Sequence, residues 1–389
     1  MSRFDVVVKE SQNKFIRHDP RMLQGIFGAD DVAPFWVADM EFPVAEPIAK
    51  ELGRLADRAM FAYEFDARSV FKAITEWNER RHNLTLDRKS FVQVPGVLTG
   101  VAVLIRELTQ PGDGVLIQTP VYHQFAKVIK TAGRKIIRNP LRTVNGRYEM
   151  DFDDLEDKLQ AGSTKVILLC NPHNPVGRVW KQVELQKLVE LADKYAVNII
   201  SDEIHSDIVY PGHPFNSILS IAADRHVALL GSPAKTFGMP SISNGYIYTT
   251  NETILEPLKT TVDSMYLSHS NAFTTFATIA AYNHGDAWLD ELLVYLAETV
   301  AWIENFLQTE LPMVTSSPVE GTYQIWLDFS GTGLSKEELD ERIFKQAKVG
   351  MTPGNWFDRG NGMFMRMSIA CPLSKIQAAF EQIKQALIE

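Results

Sequence analysis

Five short apolar runs constrain this chain more than any other feature: Phe91–Val94, Val115–Gln118, Val166–Cys170, Val197–Ile200 and Val227–Leu230. They are rich in β-branched residues and leucine, as expected of strands covered on both faces. Between them lie amphipathic patterns of helical period, among them Val101–Leu108, Gln124–Ala132 and Gln182–Tyr195. Alternation of this kind predicts an α/β fold on a mainly parallel sheet. At 389 residues the chain exceeds what one core usually holds, so a smaller second domain is expected beside the large one.

A parallel sheet offers its ligand site outside the carboxyl ends of its strands. The segments found there are Pro95–Gly100, Thr119–His123, Asn171–Arg178, Ser201–His205 and Gly231–Thr236, all dense in groups that bind or react. The net charge of −9, with Lys and Arg scattered, argues against a nucleic-acid surface and for a small-molecule enzyme. Cys170 and Cys371 are the only cysteines, too few for a disulfide framework. Met1–Glu10 lacks the apolar stretch of a signal peptide, and runs such as Val166–Cys170 are too short to span a bilayer. A cytoplasmic protein without a membrane segment is expected.

The strand-end groups fit one cofactor chemistry. Lys235 offers an amine three residues after Ser232, whose hydroxyl could meet a phosphate. Asp202 ends a buried strand, where a carboxylate needs a cationic partner. Asn174, in a turn stiffened by Pro172, Pro175 and Gly177, offers an amide donor, and Tyr122 an aromatic face. Gly96, Val97 and Thr99 precede a helix expected to begin near Gly100, a place where backbone N–H groups bind anions. Pyridoxal phosphate asks for this combination: a lysine for its aldehyde, a carboxylate for its ring nitrogen, an aromatic cover and phosphate donors. The Ser-x-x-Lys spacing also occurs in serine β-lactamases, but Lys235-Thr236 is followed by Phe237 rather than Gly, so that alternative falls. Asp202, Glu203, His205 and Asp207 could mimic a metal cluster, yet no second ligand group of matching spacing accompanies them, and no metal is expected.

The order Asn171-Pro172-His173-Asn174-Pro175-Val176-Gly177, then Asp202-Glu203-Ile204-His205, then Ser232-Pro233-Ala234-Lys235-Thr236-Phe237 resembles the pyridoxal-phosphate enzymes of fold type I, aminotransferase class I and II. Within these it looks most like the MalY/PatB subgroup of carbon–sulfur β-lyases, often called cystathionine β-lyases. Further matches are Trp36–Pro43, Ala281–Leu289, Gly321-Thr322-Tyr323 with Trp326-Leu327-Asp328, and Phe364–Pro372. The resemblance runs from about Phe35 to the C-terminus. It implies an aspartate-aminotransferase-like large domain with a seven-stranded sheet at residues 46–285. A smaller α+β domain would be formed by residues 286–389 together with the N-terminal segment 1–45.

The resemblance also implies roles. Lys235, Tyr122 and Asp202 would be catalytic. Gly96, Val97, Tyr122, Asn174, Asp202, His205, Ser232 and Lys235 would contact the cofactor, with Tyr63 reaching across from a second subunit of a homodimer. Arg366 and Ala38 would meet the amino-acid substrate, Arg366 through a bidentate contact to its carboxylate. The implied reaction is β-elimination from a cysteine thioether such as cystathionine, giving pyruvate, ammonia and a thiol. An aminotransferase, and a non-catalytic regulator that binds the cofactor, are the alternatives. Many aminotransferases carry a Gly and a phosphate-binding Arg where this chain has Ser241 and Ser243, and a Tyr where it has His205; both favour the lyase. Ala62 replaces a usual Gly before Tyr63, and Ser241 raises a question about local backbone shape. Trp356 and Phe357 either line the pocket or belong to the core of the smaller domain.

Overall fold

The computed structural model describes residues 2–7, 15–64, 66–222 and 225–388. Its centre is a seven-stranded sheet of β1 (Phe91–Val94), β2 (Gly114–Thr119), β3 (Lys135–Pro140), β4 (Thr164–Cys170), β5 (Asn198–Asp202), β6 (Val227–Gly231) and β7 (Gly245–Tyr248). The order across the sheet is β1-β7-β6-β5-β4-β2-β3, and only β7 runs antiparallel to its neighbours. Each of the five expected runs falls in one of these strands, with Val197 just ahead of β5, and in those strands every residue but Lys165 and Asn198 is buried. Two strands were not expected. β3 lies at an edge with its side chains mostly exposed, so its sequence lacks a buried signature. β7 is a four-residue buried strand opening on Gly245, without the aliphatic run of the other strands.

The helix expected near Gly100 begins at Val97 and runs to Leu108, which places Thr99 inside it. Gly100 marks no boundary. A Cβ there would come within 2.4 Å of a Leu230 methyl, so the glycine lets the helix lie close on β6. The other two helical patterns are found at His123–Thr131 and Gln182–Lys194.

A second, antiparallel sheet contains β8 (Thr315–Ser316), β9 (Gln324–Asp328), β10 (Thr352–Pro353) and β11 (Phe364–Ser368) in the order β8-β9-β11-β10. The N-terminal segment joins this region: Ala33–Pro34 pairs with Val349–Gly350, and Ser368 N–H donates to Phe35 C=O at 2.8 Å. That pairing delivers Trp36–Met40 to the crevice between the two sheets. Long helices at Asp286–Glu310 and Leu373–Ile388 complete the C-terminal part. Among the described residues no helix is long and apolar enough to cross a membrane.

Candidate active site

Lys235 sits on a four-residue helical turn, Pro233–Thr236, directly after β6. Ser232 caps this turn, accepting from the Ala234 N–H at 3.2 Å while its hydroxyl donates to the Asn244 carbonyl at 2.8 Å. The Lys235 amine donates to the Ala38 carbonyl, which also accepts from the Tyr323 hydroxyl at 3.2 Å. Burial drives the amine down to about 8; Asp39 pulls it upward, Arg366 pushes it further down, and Asp202 opposes Arg366. A substantial neutral fraction near physiological pH follows.

Asp202 ends β5 and accepts the Ile204 N–H at 3.1 Å. It is buried, and among the described residues no Lys, Arg or His bonds to it directly. Burial raises it to about 7, against the opposing pull of the Ile204 N–H and of Lys235. Arg366 presents the complementary case. It lies on β11 beside Thr352, 2 % exposed, with no carboxylate partner among the described residues. Its Nη1 donates to Asn174 Oδ1 at 3.3 Å, and its Nη2 donates to the Trp36 carbonyl at 2.7 Å and to Thr352 Oγ1 at 3.1 Å. A guanidinium carries five N–H groups, so two remain, and Nε is a buried atom without a partner. The guanidinium stacks over Phe357 at 5.1 Å from the ring centre.

Tyr122, His205 and Asn174 lie around these three. Tyr122 precedes the helix His123–Thr131; burial raises its hydroxyl, with Arg366 and Asp202 both close enough to act on it. His205 packs edge-on to Tyr323 at 5.6 Å, and burial, Lys235 and Arg366 together depress it to about 3, which keeps it neutral. With its Oδ1 held by Arg366, Asn174 keeps its Nδ2 as a donor. Gly96 begins the helix Val97–Leu108 without a side-chain cap, leaving first-turn N–H groups available. A Cβ on Gly245 would press to 2.8 Å on Gly96 C and Val97 N, so β7 supports this helix start from below.

Tyr63 is not brought to the crevice. It is 98 % exposed, edge-on to His269, in a cleft of about 720 Å³ formed by Phe61–Glu64 and His269–Phe273. Ala62 is exposed in the same loop. Ser241 belongs to the short helical turn Pro240–Ile242 and is not among the positive-φ residues, so a side chain fits there without strain. Ser243 spends its hydroxyl on the Met239 carbonyl. Phe357 is buried beneath Arg366 and against Trp326, so it belongs to pocket and core alike, whereas Trp356 is half-exposed against His123.

Sequence reasoning missed Asp39 and Arg17. Arg17 is buried, 3.4 Å from Asp39 and 3.3 Å from Glu41, and it supports the Trp36–Met40 strap by donating to the Met40 carbonyl. The acidic pair in Asp39-Met40-Glu41 was the available signal; its partner lies more than twenty residues away in sequence.

Two buried groups of opposite charge, neither in a direct ion pair among the described residues, suit a ligand pair that brings a cation to Asp202 and an anion to Arg366. A pyridine nitrogen and an amino-acid carboxylate supply these. The uncapped helix start suits a phosphate, and the lowered Lys235 amine suits an aldehyde. The residues present thus fit pyridoxal phosphate.

Comparison with known proteins agrees. The family model for aminotransferase class I and II matches residues 47–383. The chain is similar to cystathionine beta-lyase PatB of Bacillus subtilis, 38% identical over 93% of this chain and 94% of that protein. It is also similar to Protein MalY of Escherichia coli, 31% identical over 90% of each. Among solved structures it resembles cystalysin from Treponema denticola, which contains a pyridoxal 5'-phosphate cofactor, with a TM-score of 0.93 and 29% identity over 99% of this chain and 98% of that one. With its sheet order, its lysine turn and these likenesses in agreement, the chain belongs to the aminotransferase class I and II family.

Proposed function

We propose that this chain is a pyridoxal 5'-phosphate-dependent carbon–sulfur β-lyase, converting L-cystathionine or a related S-substituted cysteine to pyruvate, ammonia and a thiol. The 38% identity with cystathionine beta-lyase PatB across 93% of the chain carries this reading over the aminotransferase one. When bound, the cofactor withdraws electrons from the substrate Cα, which makes the Cα proton acidic and the Cβ–sulfur bond breakable.

In this reading Lys235 holds the cofactor, Asp202 pairs with its ring nitrogen and Asn174 donates to its ring oxygen. Tyr122 covers the ring, His205 packs beside it, and Gly96 and Val97 receive the phosphate, the Ser232 hydroxyl turning from the Asn244 carbonyl to join them. Arg366 takes the substrate carboxylate on its two remaining N–H groups, beside the strap that carries Ala38. This would fix the Cα hydrogen toward Lys235 Nζ, which, once the substrate amine has displaced it from the cofactor, would accept the proton while neutral. The C–S bond would then break, the sulfur leaving with the electron pair and gaining a proton as thiol, and water would hydrolyse the remaining unsaturated amine to pyruvate and ammonia.

The reading includes a cytoplasmic homodimer with domains at 46–285 and at 286–389 joined by 1–45. Support for a partner comes from the exposed Phe61 and Tyr63 that line the cleft and the exposed Tyr266 packed on His269 of the same cleft, where Tyr63 could serve a neighbouring site. The deciding experiment is incubation of the purified protein with cystathionine and no keto acid. Sustained pyruvate and thiol release supports the lyase. A requirement for a keto acid, with sulfur retained on the product, establishes the aminotransferase instead.

A further inference from the structure

Asp207 lies five residues beyond Asp202 and two beyond His205. It is buried, and nothing in the chemistry above uses it. Its carboxylate collects three side chains from two other parts of the fold. Trp77 Nε1 and His82 Nε2, both from the helix Ala67–His82, reach Oδ1 at 2.9 and 2.8 Å. Thr236 Oγ1 donates to Oδ2 at 2.6 Å. An ionised carboxylate only accepts, so His82 Nε2 carries the hydrogen in this contact. Burial pushes Asp207 up, but the bonds from His82, Thr236 and Trp77 outweigh it and hold the group below its ordinary value.

Thr236 is the residue after Lys235, and it is buried. The lysine turn has only four residues, so its orientation depends on what holds its ends. One end is tied by Ser232 to Asn244 and the other by Thr236 to Asp207. The Asp207–Thr236 bond therefore joins the loop carrying Asp202 and His205 to the turn carrying Lys235. We infer that Asp207 is a positioning residue, acting through Thr236 to fix Lys235 relative to Asp202. The helix Ala67–His82, through Trp77 and His82, holds the carboxylate in its single orientation.

Thr236→Val separates this role from a merely structural one. It preserves volume and leaves Asp207 bonded to Trp77 and His82, so the staple across the fold persists while the link to the lysine turn is lost. Where the readout is turnover the inference rests on the proposed lyase activity; the visible circular dichroism of the bound cofactor does not depend on that reading. In the cofactor-loaded T236V protein, the visible band is expected to fall by at least about twofold and kcat on cystathionine by about 10–100-fold, with KM within about twofold. Thr236→Ser, which restores the hydroxyl, should return the band and bring kcat to within about threefold of the starting protein. Adding Asp207→Asn to T236V should cost less than about threefold more, because both changes break one link. Should T236V fold poorly, Thr236→Ala carries the same comparison. An unchanged band in T236V, or costs that multiply in the double variant, overturns the inference. If the starting protein makes no pyruvate, the lyase reading fails, and the dichroism of T236V against T236S still decides the role of Asp207.

Discussion

The lowered Lys235 amine has a measurable consequence for cofactor capture. Only the neutral amine can bond an aldehyde, so the rate of cofactor uptake by the stripped protein should follow the neutral fraction of Lys235. A fall from the ordinary 10.5 to about 8 raises that fraction at pH 7 from roughly three in ten thousand to about one in eleven, on the order of 300-fold. The cause is chiefly burial, with Arg366 acting in the same direction and Asp39 and Asp202 opposing. The sign is fixed: below about 8 the amine is charged and uptake slows tenfold per pH unit, while above it the rate levels off. Removing the cofactor, remixing it at stepwise pH from 6 to 10, and following the rise of bound-cofactor absorbance measures this directly. Asp39→Asn removes a charge that holds the amine up, so its midpoint should move to lower pH; Arg366→Ala should move it higher. A rate that keeps climbing past pH 9.5 in the unsubstituted protein would show that the crevice does not desolvate Lys235, and the electrostatic reasoning would fail.

Three substitutions probe the other contacts. Asp202→Asn keeps the shape but removes the charge, so turnover should drop by about 10²–10³ while cofactor remains detectable by absorbance; near-normal turnover would mean another group meets the ring nitrogen. Arg366→Ala deletes two charge-assisted N–H donors, and steady-state kinetics should show KM for the amino acid rising by at least about tenfold; an unchanged KM would place the substrate carboxylate elsewhere. Gly245→Ala drives a methyl into the backbone of Gly96 and Val97. A stability loss of about 1–3 kcal/mol in thermal melts is expected, together with weaker cofactor retention on dialysis, and full retention would separate this helix start from the phosphate.

Most of the fold was legible because strands buried on both faces leave continuous apolar runs, as at Val166–Cys170 and Val227–Leu230. β3 escaped because an edge strand need not be apolar, and β7 because its Gly-Tyr-Ile-Tyr opens on a glycine and lacks the aliphatic run of the other strands. Gly100 misled for a different reason: its glycine answers to packing on Leu230, a contact 130 residues away in sequence that no local pattern reveals. In the site, Lys235, Asp202 and Asn174 stand out by residue type after buried strands, and Arg366, which resemblance pointed to, meets Asn174 directly. Asp207 stood out only as a possible mimic of a metal ligand and Arg17 not at all, since their meaning lies in partners brought by folding: Thr236 and Trp77 in one case, Asp39 and Glu41 in the other. Tyr63 and Arg366 were read only through resemblance, and in its own chain Tyr63 is simply an exposed tyrosine.

The identity of the lysine that holds the cofactor underlies every step described for this site. Reducing the cofactor-loaded protein with borohydride and mapping its peptides by mass spectrometry tests it most directly. The account predicts one pyridoxyl label per chain, on the peptide containing Ser232–Phe237 and assigned to Lys235. A label on any other lysine, or stable cofactor binding with no reducible bond to the chain, would contradict it.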